Sequence, residues 1–115
     1  MTGPMDVMVE LLTEVLDKSK IYPEVVPATV QTPYIRYSEN SEPDMTYDGN
    51  AGDTVTTVVT VCAGTKAEAQ RLADAIVSTL NMRSVGGYNF YLQGREYTLY
   101  DAEKISSYDI TFKIL

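Results

Sequence analysis

The residue types that most often carry out catalysis are scarce in this sequence. Histidine is absent, which excludes His-based general-base catalysis, Ser-His-Asp triads and histidine metal sites. The two glycine-rich motifs that cradle phosphates, G-x-x-x-x-G-K-[ST] and G-x-G-x-x-G, are absent as well. We therefore interpret Gly86, Gly87 and Gly94 as turn residues.

The single cysteine, Cys62, is the only thiol that an enzyme built from this chain would have as a nucleophile. It lies at the end of a run of β-branched residues, so we expect a small buried strand residue rather than a reactive group. One cysteine also excludes a disulfide within the chain and is typical of a reducing compartment.

One acidic stretch has the oxygen ligands of a calcium site. Asp44, Asp48, Asn50 and Asp53 supply hard oxygens, but their spacing misses the alternate-residue pattern of a calcium loop and no Glu follows at the required distance. The remaining carboxylates fall on loops and outer helix faces, without an apolar pocket that would shift a pKa. We therefore predict that the protein is not an enzyme and has no catalytic residues, cofactor or metal.

The bulk properties indicate one domain spanning residues 1–115. The net charge of -7 argues against wrapping phosphate backbones, so we expect no sequence-specific binding of nucleic acid. No uncharged run approaches the roughly 18 residues of a membrane span, and the N-terminus lacks the basic start of a signal peptide. These features predict a soluble cytoplasmic protein that does not bind membranes.

The best-defined part of the chain is a strand followed by a helix, residues 53–81. Residues 54–62 are a continuous run of Val and Thr that ends in Cys62, and both faces of this strand are uncharged, which predicts a central strand or one whose second face meets a partner. Thr65 and Glu68 have the spacing of a capping box at the start of the helix. The apolar stripe of that helix comprises Ala69, Leu72, Ala73, Ile76 and Leu80.

The flanking elements complete a prediction of the fold. Residues 4–18 have the periodicity of an amphipathic helix. Extended pieces are predicted over 21–26, which Pro23 and Pro27 confine to an edge or an irregular strand, and over 34–37. Residues 38–53 have the composition of a long loop or a hairpin arm.

Three strand segments are predicted near the C-terminus, over 88–92, 97–100 and 108–114, the last from strict alternation of apolar and polar residues. The predicted fold class is α+β, with two helices packed on one face of a mainly antiparallel sheet in the order α-β-β-β-α-β-β.

Nine tyrosines without a tryptophan is a high count. Most are expected to be ordinary half-buried strand residues, whereas some are expected at a subunit interface, where tyrosine is enriched. The second face of strand 54–62 and the 38–53 arm are further candidates for contacts. The predicted interface residues are Met45, Tyr47, Asp48, Val58, Tyr91 and Tyr100.

The order and spacing of these motifs resemble a known family. An N-terminal helix is followed by the step Ile21-Tyr22-Pro23. An Asp/Gly-rich loop comes directly after the segment Thr32-Pro33-Tyr34-Ile35-Arg36-Tyr37. A strand then ends in Val61-Cys62-Ala63, and a helix begins with Gly-Thr-Lys-Ala-Glu-Ala. Over roughly residues 5–114 this pattern is similar to the small tail-completion or tail-terminator proteins of long-tailed bacteriophages and prophages.

That resemblance implies an α+β subunit that assembles into a hexameric ring and caps the tail tube, either as a tail terminator or as a head-tail joining component. The implied partners are copies of the chain, tail-tube proteins and head-connector proteins, with DNA passing through the ring. The implied locations are the bacterial host cytoplasm during assembly and the virion. The alternative, a small ligand-binding or regulatory α+β module of the host, predicts a concave apolar pocket with convergent polar groups.

Overall fold

The computed structural model describes the backbone of residues 4–23, 31–46, 49–100 and 104–114, and the side chains of this set except those of residues 4, 40–46 and 49–54. The chain forms helix α1 and then strands β1, β2 and β3. Helix α2 and strands β4, β5 and β6 follow. Their bounds are α1 Pro4–Leu12, β1 Ile21–Pro23, β2 Tyr34–Thr46, β3 Gly49–Ala63, α2 Lys66–Leu80, β4 Ser84–Val85, β5 Tyr88–Tyr100 and β6 Ile105–Ile114.

The strands form one six-stranded sheet in the order β1-β2-β3-β6-β5-β4. β1 runs parallel to β2, and the other neighbours are antiparallel. β3 lies in the middle between β2 and β6, which confirms the central placement expected from its two uncharged faces. β1 lies at the edge, where its proline costs no ladder hydrogen bond.

Helix α2 follows the prediction closely. The Thr65 hydroxyl accepts a hydrogen bond from the Glu68 backbone N–H at 3.2 Å, and Asn81 is the C-cap. The start of the helix therefore agrees with the capping signal in the sequence. The five predicted stripe residues, Ala69, Leu72, Ala73, Ile76 and Leu80, are the buried residues of this helix.

The core lies between the helices and one face of the sheet. α2 packs against β3, β5 and β6, and α1 packs against α2. Val59, Val61, Ile110 and Phe112 are fully buried on this face, which we call the helix face. The buried alternation of Tyr108, Ile110, Phe112 and Ile114 confirms the strand predicted there.

Helix α1 is shorter than the predicted 4–18 span. It ends at Leu12, and the chain continues through tight turns before a 3-10 helix over Lys18–Lys20. The backbone tightens because hydrogen bonds from Glu14 to Leu11 and from Val15 to Leu12 span only three residues. The Asp17 carboxylate then caps the 3-10 helix by accepting from the Ser19 N–H.

Two further differences concern the last strands. The two segments predicted over 88–92 and 97–100 are one strand, β5, whose pairing with β6 shifts register between Leu92 and Gly94. The two-residue strand β4 was not predicted; it pairs with the start of β5 through a turn in which Gly86 and Gly87 have φ of 61° and 85°. The α+β class is therefore confirmed, whereas the predicted order lacks β4.

Candidate assembly surfaces

The 38–53 stretch, for which composition left a loop and a hairpin open, consists of paired strands. β2 and β3 pair from Tyr34↔Cys62 out to Thr46↔Gly49. β6 pairs with β3 only as far as Val55↔Ile114. Residues 42–46 and 49–54 thus continue as a two-stranded ribbon for roughly 15 Å beyond the last pairing with β6. We call residues 42–54 the arm.

Three of the predicted interface residues belong to the arm. Met45 lies on β2 opposite Asn50, next to a register shift between Pro43 and Met45. Tyr47 and Asp48 lie outside the described residues. Within the described part of the arm, β2 and β3 form hydrogen bonds only with each other. The backbone N–H and C=O groups on the outer edge of each strand have no strand partner there. Such a ribbon is at best marginally stable in water by itself.

The other three predicted residues come together on one face of the sheet. Val58 pairs with Thr111, and Tyr91 and Tyr100 lie opposite Lys113 and Ile105. All three side chains are therefore on the face opposite α2, because alternate residues of β6 share a face. We call this the open face.

A β-bulge produces this alignment. Tyr91 and Tyr100 are an odd number of residues apart, so a regular strand would place them on opposite faces. The register shift between Leu92 and Gly94 inserts one residue and restores them to the same face. No signal in the sequence distinguishes this bulge from the two separate strands that were predicted there.

Neighbouring strands bring charge to the open face, although β3 itself has none. Arg36 lies opposite Thr60, whose hydroxyl donates to Asp109 Oδ1 at 2.7 Å. Glu96 lies directly opposite Asp109. Like charges in that arrangement destabilise a sheet, and neither of the two ion pairs formed among the described residues involves these carboxylates.

Cys62 and Tyr34 are neighbours at one end of the open face. Burial raises the pKa of Tyr34 to about 12, and the hydrogen bond between its hydroxyl and Cys62 adds to this rise. Tyr100, on the same face, also contributes to this rise. Burial likewise raises the pKa of the Cys62 thiol.

Cys62 is buried, as predicted from the sequence. A raised pKa keeps the thiol protonated at neutral pH, and the thiolate is the nucleophilic form. We expect the folded protein to react with an aromatic disulfide reagent at pH 7 at least ~100-fold more slowly than the urea-unfolded chain. The reaction of the folded form should accelerate only as the pH rises above the ordinary range of a thiol.

Gln70→Cys provides the matched control, because Gln70 is exposed on α2. This variant should show one fast and one slow thiol in the folded state. Equal fast rates for both would contradict the burial of Cys62 and restore it as a candidate nucleophile.

Sequence reasoning missed two exposed apolar side chains. Met82 is 74% exposed and Leu99 is 54% exposed, compared with 46% for the predicted Tyr100. Both lie outside the periodic patterns from which the core was predicted. Tyr97, in contrast, is a packing residue of the helix face, where its ring lies 5.1 Å from that of Tyr108 and 4.8 Å from Lys66 Nζ.

The described residues contain no group of three or more Cys, Asp or Glu side chains placed to hold a metal ion. The four residues whose spacing argued against a calcium site are also outside the description: the side chains of Asp44, Asn50 and Asp53, and all of Asp48. Within the described ranges, no helix is long and apolar enough to cross a membrane.

The described chain is a mixed α+β fold with two helices, a six-stranded sheet and a projecting two-stranded arm. A family model described as "Tail completion protein gp17" matches residues 9–107. The chain therefore belongs to this family of structural phage tail proteins, which confirms the resemblance found in its motifs.

Solved structures agree on the fold. One chain, from a structure described as the virion of a native gene transfer agent particle, superposes with a TM-score of 0.68 at 17% sequence identity. The match covers 90% of this chain and 81% of that chain. A comparison with curated proteins found no match.

Proposed function

We propose that the chain is a ring-forming tail terminator, or a head-tail joining component, that caps the end of a phage tail tube as a hexamer. Membership of the tail completion family supports a structural role in the tail. The proposed partners are other copies of the chain, the tail-tube protein and a head-connector protein. The proposed locations are the host cytoplasm during assembly and then the virion.

The arm is the observation that carries this proposal. This two-stranded ribbon extends roughly 15 Å beyond β6, and β6 does not pair with it along the described residues. Association with a neighbour would cover its unpaired edges, which are otherwise a liability for aggregation. The described part of the molecule measures 49 × 25 × 24 Å along its principal axes, so the subunit is elongated enough to overlap a neighbour.

The open face supplies a second surface. Val58, Tyr91 and Tyr100 lie on it, and Tyr100 is nearly half exposed. A ring needs two different complementary patches on each subunit, since its interfaces are heterologous. The arm and the open face are the two patches we propose, because they lie on different parts of the subunit.

The charge of the chain fits passage of DNA through such a ring. A net charge of -7 repels phosphates, so a lumen lined by this protein would let DNA slide without binding it. The opposed Glu96 and Asp109 place part of that charge on the open face. A lumen that proves basic in the assembled ring would contradict this part of the proposal.

Tube growth provides the functional test. The tail-tube protein encoded in the same phage or prophage is polymerised with and without this chain, and growth is followed by light scattering. We expect a substoichiometric amount of the chain, about one hexamer per tube, to stop elongation. Unchanged growth at every ratio, with the chain remaining monomeric by mass photometry, would contradict the proposal.

A further inference from the structure

The turn after α2 presents a methionine in an unusual conformation. Met82 has φ of 62°, in the left-handed region where L side chains are strained and where glycine or asparagine is the ordinary choice after a helix. Its side chain is 74% exposed, so burial within the described protein does not offset that strain. A strained residue with an exposed apolar side chain is a candidate for a functional contact.

Hydrogen bonds hold this turn in place. The Met82 N–H donates to the Phe90 carbonyl at 2.8 Å, and the Phe90 N–H donates to the backbone carbonyl of Arg83 at 3.0 Å. The Asn81 side chain accepts from the Leu92 N–H. Since both sides of the turn are tied to β5, Met82 and Arg83 form a rigid projection, which binds with a smaller loss of conformational entropy than a flexible loop.

A groove of complementary character lies between α1 and β2. It has a volume of about 470 Å³ and is lined by Asp6, Val9, Glu10, Thr13, Lys18 and Tyr37. Val9 and Tyr37 are partly buried apolar residues that pack against the core. The two carboxylates and one ammonium group leave the groove acidic at neutral pH. A groove with an apolar floor and an acidic rim suits an apolar side chain next to a cation.

Helix α1 separates the projection from the groove within one subunit. On one side of the helix, Val7 approaches Gly86, 3.4 Å from where a Cβ would stand, and Glu14 lies 3.8 Å from Arg83. Val9, two residues after Val7, lies on the other side of the helix and lines the groove. Neither Met82 nor Arg83 lines the groove of its own subunit.

We propose that the turn formed by Met82 and Arg83 binds the groove between α1 and β2 of a neighbouring copy of this chain. The Met82 side chain contacts Val9 and Tyr37 of that copy, and Arg83 lies beside its acidic rim. Arg83 is available for this contact, since its ion pair with Glu14 is long, at 3.8 Å, and half exposed. The proposal rests on the ring function argued above and assigns the residues of one subunit contact.

A projection on one side of a subunit and a recess on the other generate head-to-tail association, which closes into a ring when the rotation per subunit allows it. The contact would repeat around the ring with the same polarity. It is separate from the arm, so the two features make independent contributions to assembly.

Met82→Gly tests the energetic role of the contact. Glycine adopts φ of 62° without strain, so the monomer should unfold at the same temperature or a higher one. Loss of a buried methionine from the contact should raise the concentration needed for ring assembly on the tube roughly ten- to hundred-fold. Unchanged assembly by Met82→Gly would overturn the proposal.

Disulfide trapping tests the geometry. Met82→Cys is mixed with Val9→Cys, and the assembled rings are oxidised mildly. We expect a disulfide-linked dimer that neither variant forms alone. The control mixture of Gln70→Cys with Val9→Cys should form none, because Gln70 is exposed on α2 and forms no part of the turn or the groove.

The outcomes separate this inference from the proposed function. Rings that form normally without the specific cross-link would overturn the contact and leave the ring function standing. Failure of the unmodified chain to form rings would overturn both. Occupation of the groove by a small molecule in the purified ring, with the turn of the neighbour elsewhere, would also overturn the contact.

Discussion

Replacing Phe112 by alanine is expected to lower the free energy of unfolding by about 3–5 kcal/mol. Phe112 is fully buried on β6, between Thr57 of β3 and Leu92 of β5, on the face that α2 covers. The truncation removes a large apolar side chain and leaves a cavity that the paired strands on both sides hold open. Domains of this size have a total stability of roughly 5–15 kcal/mol, so the variant should be close to unfolding.

Equilibrium denaturation in urea checks this prediction. Leu99→Ala provides the control, because Leu99 is on the adjacent strand and is 54% exposed; its effect should stay within about 0.5 kcal/mol. Ile76→Ala, at the buried centre of α2, should cost about 2–5 kcal/mol. If Phe112→Ala lowers the free energy of unfolding by only a few tenths of a kcal/mol, the helix face of the sheet is not the core.

Removing the arm is expected to abolish assembly while the subunit stays folded. Residues 43–53 are replaced by Asn-Gly, which joins the paired residues Glu42 and Thr54 by a two-residue hairpin turn. A two-stranded ribbon adds little stability of its own. The free energy of unfolding should therefore change by less than about 1 kcal/mol.

The measurement compares assembly and folding in the same variant. Mass photometry should show no rings at concentrations ~100-fold above those sufficient for the unmodified chain, a difference of roughly 3 kcal/mol. Circular dichroism should show an unchanged fold. If the shortened chain unfolds, the arm is part of the core; if it forms rings normally, the arm takes no part in assembly.

The elements predicted best were those in which several local signals agree. In α2 the capping box, the stripe of Ala69 to Leu80 and the loop after it all indicate the same helix, and the structure has that helix. In β6 the strict alternation from Tyr108 to Ile114 fixes both the strand and its buried face. The family could be recognised because the order of such elements is preserved along the chain.

The sequence was least informative about the arm, the end of α1, the bulge in β5 and the turn after α2. In the arm, Pro43 and the glycines at 49 and 52 left both a loop and a hairpin open, and pairing between β2 and β3 agrees with the hairpin. After Leu12, α1 gives way to hydrogen bonds that span three residues, a change that apolar periodicity does not report. The bulge near Gln93 and the left-handed backbone of Met82 have no local signature, although they determine which side chains reach the surface.

The most direct test of the central claim is electron microscopy of this chain mixed with its tail-tube protein. We predict a ring of six subunits on one end of each tube, with the arm of each subunit in contact with its neighbour. Bare tube ends beside monomers of the chain would contradict the account, as would binding of single subunits along the tube wall.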